Sequence, residues 1–223
     1  MNSHGKLNVE TFVEPSFQEN GYLLWCDGET DCWLVDPGFP PQSEQFLAAI
    51  NKRQLAPRNI LLTHCHVDHI AGVGTLRSQL GDVPVVCPRG EEHMLASAEE
   101  NFSTQLGFSV TTPSPERTVA HGDTLSLGEL SWRVLDVSGH SPGGVAYHCA
   151  EAGVALVGDA VFAESIGRYD FPNSSRERLL KNIRDHLLTL PGDTMVYCGH
   201  GPPATIQQIN RYNMTLRWEL EQC

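Results

Sequence analysis

The sequence has no apolar run long enough to cross a membrane, and its first residues, Met1-Asn2-Ser3-His4-Gly5, form neither a basic nor an apolar region. Neither a spanning helix nor a secretory signal is expected. No Cys-x-x-Cys occurs, and the seven cysteines, Cys26, Cys32, Cys65, Cys87, Cys149, Cys198 and Cys223, are odd in number and scattered. That pattern argues against a disulfide framework and for a reducing, cytoplasmic setting, with most of the thiols serving as small core residues. Low-complexity segments are missing too, so long disorder is not expected. Basic residues are scarce. The formal charge is −12, no basic stripe is visible, and nucleic acid is disfavoured as a partner. The negative charge is spread along the chain and reads as a solubility feature.

At 223 residues the chain can bury a sizeable core. Period-two and continuous apolar runs predict strands at Leu7–Val13, Asn20–Trp25, Cys32–Val35, Arg58–Leu62 and Val83–Cys87. A second set follows at Val119, Thr124–Leu127, Leu130–Val137, Val145–Cys149, Val154–Val157 and Thr194–Cys198. Helical spacing predicts helices at Ser43–Lys52, Asp68 to about Leu80, Glu91–Phe102, Ser175–Leu190 and Thr205 to about Leu220. Strands in hairpin-like groups with helices between them point to mixed sheets with helices outside, a layered α/β domain.

The chain is organised around Thr63-His64-Cys65-His66-Val67-Asp68-His69, which follows the buried-strand run Ile60-Leu61-Leu62. If the backbone stays extended, His64, His66 and Asp68 share one face and Cys65 the other. Asp68 then opens a helix, and His69 in its first turn aims at a second point nearby. Two cations side by side suit that pattern better than one. His140, Asp159 and His200 each follow a strand-like segment and sit against glycine, which lets backbone approach a site closely. One site would be His64, His66 and His140, the other Asp68, His69 and His200, with Asp159 bridging them. Imidazole and carboxylate without thiolate suit zinc, iron or manganese, and two divalent ions, zinc first, are the expected cofactors. Such ions polarise a carbonyl and yield a hydroxide between them at neutral pH, with Asp68 orienting it or shuttling its proton.

His64-x-His66-x-Asp68-His69, with His140, Asp159 and His200 in this order, resembles the metallo-β-lactamase superfamily. The resemblance covers nearly the whole chain. It implies a four-layer αββα sandwich of two mixed β-sheets with helices on the outer faces, one domain over residues 1–223, and a dinuclear site held by these seven residues. Gly139-His140-Ser141-Pro142-Gly143-Gly144, Gly158-Asp159, Ser165-Ile166-Gly167-Arg168 with Asp170-Phe171-Pro172, and Gly199-His200-Gly201-Pro202 are similar to the short glyoxalase II-like hydrolases. That similarity implies hydrolysis of a small thioester such as S-lactoylglutathione. The full-length enzymes of that group carry a C-terminal helical domain for glutathione, and only 23 residues follow His200 here, so that domain is not expected. An iron-dependent persulfide dioxygenase on the same fold, using His64, His140 and Asp159, is the alternative. Asp36 resembles the superfamily's buried supporting Asp, or is a plain turn former. Arg168 and Tyr169 are candidates for the substrate pocket; Arg168 either grips a substrate carboxylate or pairs with Asp170 or Glu164. No membrane contact is expected, and a small molecule is the expected partner.

Overall fold

The structure is a computed structural model that describes residues 5–222; His4 and Cys223 lie outside the described residues. The first half runs β1 (Leu7–Val13), β2 (Asn20–Cys26), β3 (Asp31–Val35), α1 (Gln42–Arg53), β4 (Ala56–Leu61), α2 (Val67–Ile70), α3 (Val73–Leu80), β5 (Val85–Pro88), α4 (Glu92–Ala96) and β6 (Arg117–Val119). The second runs β7 (Thr124–Leu127), β8 (Leu130–Asp136), β9 (Val145–Cys149), β10 (Val154–Gly158), α5 (Arg176–Asn182), β11 (Met195–Cys198), β12 (Ala204–Thr205), α6 (Ile206–Tyr212) and α7 (Met214–Glu221). One sheet orders its strands β1-β2-β3-β4-β5-β6, the other β12-β11-β10-β9-β8-β7. Each mixes parallel and antiparallel pairs: β3 to β6 are parallel, as are β10 and β11.

Three apolar clusters make four layers of these two sheets. Trp33, Val35 and Tyr22 of the first sheet meet Trp132, Val134 and Tyr147 of the second in the central layer. Trp33 and Trp132, 5.7 Å apart, anchor it, and each large ring removed from water contributes about 1.5–3 kcal/mol. The outer face of the first sheet is covered by Phe46 and Ile50 of α1 and by Val73 and Leu76 of α3. The outer face of the second is covered by Leu179, Leu180, Ile206, Ile209 and Leu216 of α5 to α7. The αββα sandwich follows from where the apolar side chains lie.

Four helices differ from the sequence reading. Asp68 does not open a helix: α2 begins at Val67 with His66 at its N-cap, and α2 and α3 are separate. Between them the Gly72 N–H donates to Pro37 O at 2.8 Å, which ties the break to the loop after β3. The segment 91–102 is helical only over α4. Beyond it the buried Asn101 amide donates to Met94 O and Val110 O, and these bonds fold the chain back. The closing helix is split at Asn213, whose Oδ1 accepts from the Leu216 N–H and whose amide donates to Phe162 O and Ser165 O. In these three cases a loop bond across the fold wins over helical propensity. Helix α5 also ends earlier than Leu190, running into a π-helical turn over Ile183–Leu187.

Candidate metal centre

The loops that leave β3, β4, β8, β10 and β11 meet at one end of the sandwich, and these deliver Asp36, His64 and His66, His140, Asp159 and His200. Bonds between the sheets fix that end. The Val145 N–H donates to Thr63 O at 2.8 Å, and the Asn20 N–H to Gly199 O at 2.7 Å. The Tyr147 hydroxyl donates to Leu62 O and the Tyr22 hydroxyl to Cys198 O. Glycine is required where the loops crowd the centre. A Cβ at Gly199 would strike Asp159 Oδ1, and one at Gly158 (φ +51°) would strike Thr63 Oγ1.

Four of the five histidines at the centre are oriented by what their other nitrogen binds. His140 Nδ1 lies 2.8 Å from Arg168 O, and His200 Nδ1 lies 3.0 Å from Phe17 O. A carbonyl only accepts, so Nδ1 carries a proton in both rings and Nε2 is the nitrogen turned toward the centre. His69 Nδ1 faces Asp36 Oδ2 at 3.2 Å. Asp36 is buried and also receives the Thr63 N–H (2.7 Å) and the Thr63 hydroxyl (2.6 Å). That hydroxyl oxygen sits 3.2 Å from His64 Nδ1. One carboxylate thus sets His69 directly and His64 through Thr63.

The remaining nitrogens converge, and His140 Nε2 lies 3.0 Å from His66 Nδ1. His64, His66 and His140 form one group, Asp68, His69 and His200 a second, and His64, His69 and Asp159 a third, with the ligand atoms of each group within 4.8 Å of one another. Asp159 reaches both ends: Oδ1 lies 3.5 Å from His69 Nε2, and Oδ2 lies 3.6 Å from His140 Nε2 and 3.4 Å from His200 Nε2. Asp68 Oδ2 lies 3.4 Å from His200 Nε2. His64 Nε2, His69 Nε2 and Asp159 Oδ1 are buried without a hydrogen-bond partner. Each such atom costs about 1–3 kcal/mol, and cations at the centre would satisfy all three. The residues present fit a pair of divalent ions.

The two groups differ electrically. Burial, then the neighbouring His69, lowers the His64 pKa, and burial with His140 takes His66 down to about 3. Burial lowers His140 as well, against the pull of Asp159. This group is neutral and ready for a cation near pH 7. In the second group burial is outweighed by the carboxylates. Asp68 and Asp159 hold His69 well above its usual range, and Asp159 and Asp68 bring His200 up to about 10. Burial would raise Asp68, but His69 and His200 keep it below its usual range, so it is ionised. Filling the second group near pH 7.5 is expected to release protons, and filling the first none; an indicator dye in weak buffer measures this. Release that is the same for both ions would contradict the assignment. The metal-free fold follows the same logic. The raised His200 pKa adds stability that is full below about pH 6.5 and is lost as pH rises through about 10.

Sequence reasoning missed Glu91. Buried completely, it accepts from the Ser141 hydroxyl (2.5 Å) and the Gly143 N–H (2.7 Å) on Oε1, and from the Cys65 N–H (2.7 Å) on Oε2. It joins the His64–His66 loop to the His140 loop, and nothing local in the sequence marks it. Glu91→Gln must turn its NH2 toward one of those donors. A loss of about 2 kcal/mol in a denaturation curve is expected; an unchanged midpoint would show that the loops do not depend on it.

Above the centre lies an open cavity of about 1000 Å³, lined by His66, Asp68, His140, Asp159 and His200 at its floor. Arg168 lines it as well, with its guanidinium paired to Asp170 at 2.9 and 3.0 Å. Tyr169 is not part of the lining. It packs beside the outer cluster of the second sheet, and its hydroxyl donates to Glu219 Oε1 at 2.8 Å.

The model of the metallo-beta-lactamase superfamily matches residues 15–200. The chain belongs to the metallo-β-lactamase superfamily. It is 36% identical over 190 residues to the probable metallo-hydrolase YqgX of Bacillus subtilis, covering 85% of this chain and 88% of that one. It is 31% identical over 209 residues to the hydroxyacylglutathione hydrolase GloC of Haemophilus influenzae, covering 93% and 97%. Among solved structures, the BLEG-1 B3 metallo-beta-lactamase superposes with a TM-score of 0.87 at 33% identity, covering 93% of this chain and 98% of that one. TTHA1623 in a di-iron-bound form superposes with a TM-score of 0.80 at 33% identity, covering 92% and 99%. As a superfamily member the chain is a metallohydrolase-type enzyme with the fold that the resemblance implies. Its His/Asp cluster suits a dinuclear metal site, and among the described residues no helix is long and apolar enough to cross a membrane.

Proposed function

We propose that this chain hydrolyses small thioesters, S-lactoylglutathione being the type substrate, with two metal ions, zinc first, held at the centre. The observation that carries this is the pair of ligand groups joined by Asp159 at the floor of an open cavity, and the similarity to a hydroxyacylglutathione hydrolase supports it. His64, His66 and His140 would hold one ion, and Asp68, His69 and His200 the other, with Asp159 facing both. Ions bound there polarise a carbonyl and make hydroxide available at neutral pH.

The chain's own residues do the rest. The His66 and His140 edge and the Asp68 and His200 edge of the cavity floor flank the space in which the acyl carbon must sit. Asp68 is ionised and borders the cavity, so its carboxylate can take the proton that the attacking water loses. The C–O bond forms and the C–S bond breaks. The thiolate leaves without a dedicated acid, because an ordinary thiol has a pKa of about 8.5. A small-molecule substrate and a cytoplasmic setting belong to the same reading.

The test is thiol release from S-lactoylglutathione, with and without prior chelation, in the native chain and in His66→Ala. Chelator-sensitive release that His66→Ala removes is expected. Activity that survives the substitution would refute the assignment. Oxygen uptake with glutathione persulfide, without thiol release from S-lactoylglutathione, would replace it with iron-dependent persulfide oxidation.

A further inference from the structure

The walls of the cavity are aromatic. Phe102 and Phe171 stack with centroids 5.0 Å apart at 20°, and both rings lie about one ring width from His66, at 5.0 and 5.1 Å. On the other edge Phe162 stands 6.0 Å from the His200 ring, and Phe17 lines the cavity as well. Phe102 holds φ +68°, a left-handed conformation that bulky side chains rarely adopt. It is kept there by Asn101, whose fully buried side chain donates to Met94 O and Val110 O and accepts from the Ser103 N–H. Backbone strain maintained beside a reactive centre is a mark of function. Here it lays a ring over the cavity floor.

The charge of the lining points the same way. Besides the ligand residues, the charged groups lining the cavity are Glu164, Arg168 and Asp170, one cation against two carboxylates. The cation is engaged twice, by Asp170 and by the face of Phe171 4.5 Å away. Glutathione brings two carboxylates and one ammonium, and among the described residues the lining offers its carboxylates no unpaired cation. A cavity of about 1000 Å³ also has room for far more than a lactoyl group.

We propose that the preferred substrates are thioesters with an aromatic or branched apolar acyl group on an uncharged thiol, the apolar group seated against Phe102 and Phe171. This rests on the thioesterase reading and moves its preferred substrate away from S-lactoylglutathione. The reaction is unchanged: water adds to the acyl carbon, the C–S bond breaks, and a carboxylate and a thiol leave.

Phenylacetyl and lactoyl thioesters, each on glutathione and on N-acetylcysteamine, separate the two halves of the substrate. The metal-loaded enzyme is expected to show its highest kcat/KM with the phenylacetyl thioester of N-acetylcysteamine. The phenylacetyl-over-lactoyl ratio should be at least about tenfold on either carrier. Phe102→Gly removes the ring and suits the left-handed backbone, and it should pull that ratio toward one. A best rate with S-lactoylglutathione, or a ratio indifferent to Phe102→Gly, overturns the proposal. If no thioester is cleaved, the thioesterase reading fails, and calorimetry with the S-benzyl and S-methyl thioethers of N-acetylcysteamine still reads the subsite. Tighter binding of the benzyl compound by about tenfold sustains the aromatic seat, and equal affinities refute it.

Discussion

Asp159→Asn is expected to lower kcat/KM for thioester hydrolysis by about a thousandfold or more, since several kcal/mol of transition-state charge stabilisation depend on the ions it helps to hold. The substitution keeps the shape and removes the charge. Among the described residues, Asp159 is the one carboxylate whose two oxygens face His69 on one side and His140 and His200 on the other. Asparagine presents an NH2 group to ring nitrogens that need a cation, so both groups of ligands suffer at once. Metal titration should show fewer than two ions per chain at concentrations that fill the native centre. The metal-free variant also lacks one of the two carboxylates that raise the His200 pKa, so its stability should depend less on pH between about 6.5 and 10. Two retained ions with undiminished turnover would show that Asp159 does not join the groups.

The second large effect is at Asp36. Asp36→Ala leaves the Thr63 N–H, the Thr63 hydroxyl and the His69 Nδ1–H without their acceptor in a buried setting. The expected cost is about 3–5 kcal/mol of stability, together with about a 10–100-fold loss of metal affinity because His69 and His64 are no longer oriented. Asp36→Asn separates the two effects. Its carbonyl can still receive the Thr63 N–H, which spares part of the stability, while its NH2 faces the groups that Oδ2 served. Affinity should fall nearly as far as in Asp36→Ala. A variant that loses stability and keeps full affinity would make Asp36 a turn former and nothing more.

The His/Asp cluster was legible because its signal does not depend on element boundaries. His64, His66, Asp68, His69, His140, Asp159 and His200 stand at strand exits whose apolar runs are plain in the sequence, and the strands form nearly where those runs lie. The helices were less legible for a physical reason. The ends at Gly72, Asn101 and Asn213 are set by bonds to residues distant in sequence or across a loop, and helical periodicity is blind to them. Glu91 was illegible for the same reason, since its three donors come from two other loops. Tyr169 was expected in the pocket from its place after Arg168, yet its hydroxyl finds Glu219 of α7. The pairing of Arg168 with Asp170, two residues on, was visible as an option and is the one the structure adopts.

The account stands or falls on two ions acting together at this centre. The direct measurement is thioester hydrolysis in chelated protein as zinc is returned in steps, with bound metal determined on the same samples. Activity should rise steeply as the second equivalent binds, with proton release accompanying that step. Full occupancy by two ions without thiol release from any thioester, or full activity with none bound, would contradict it.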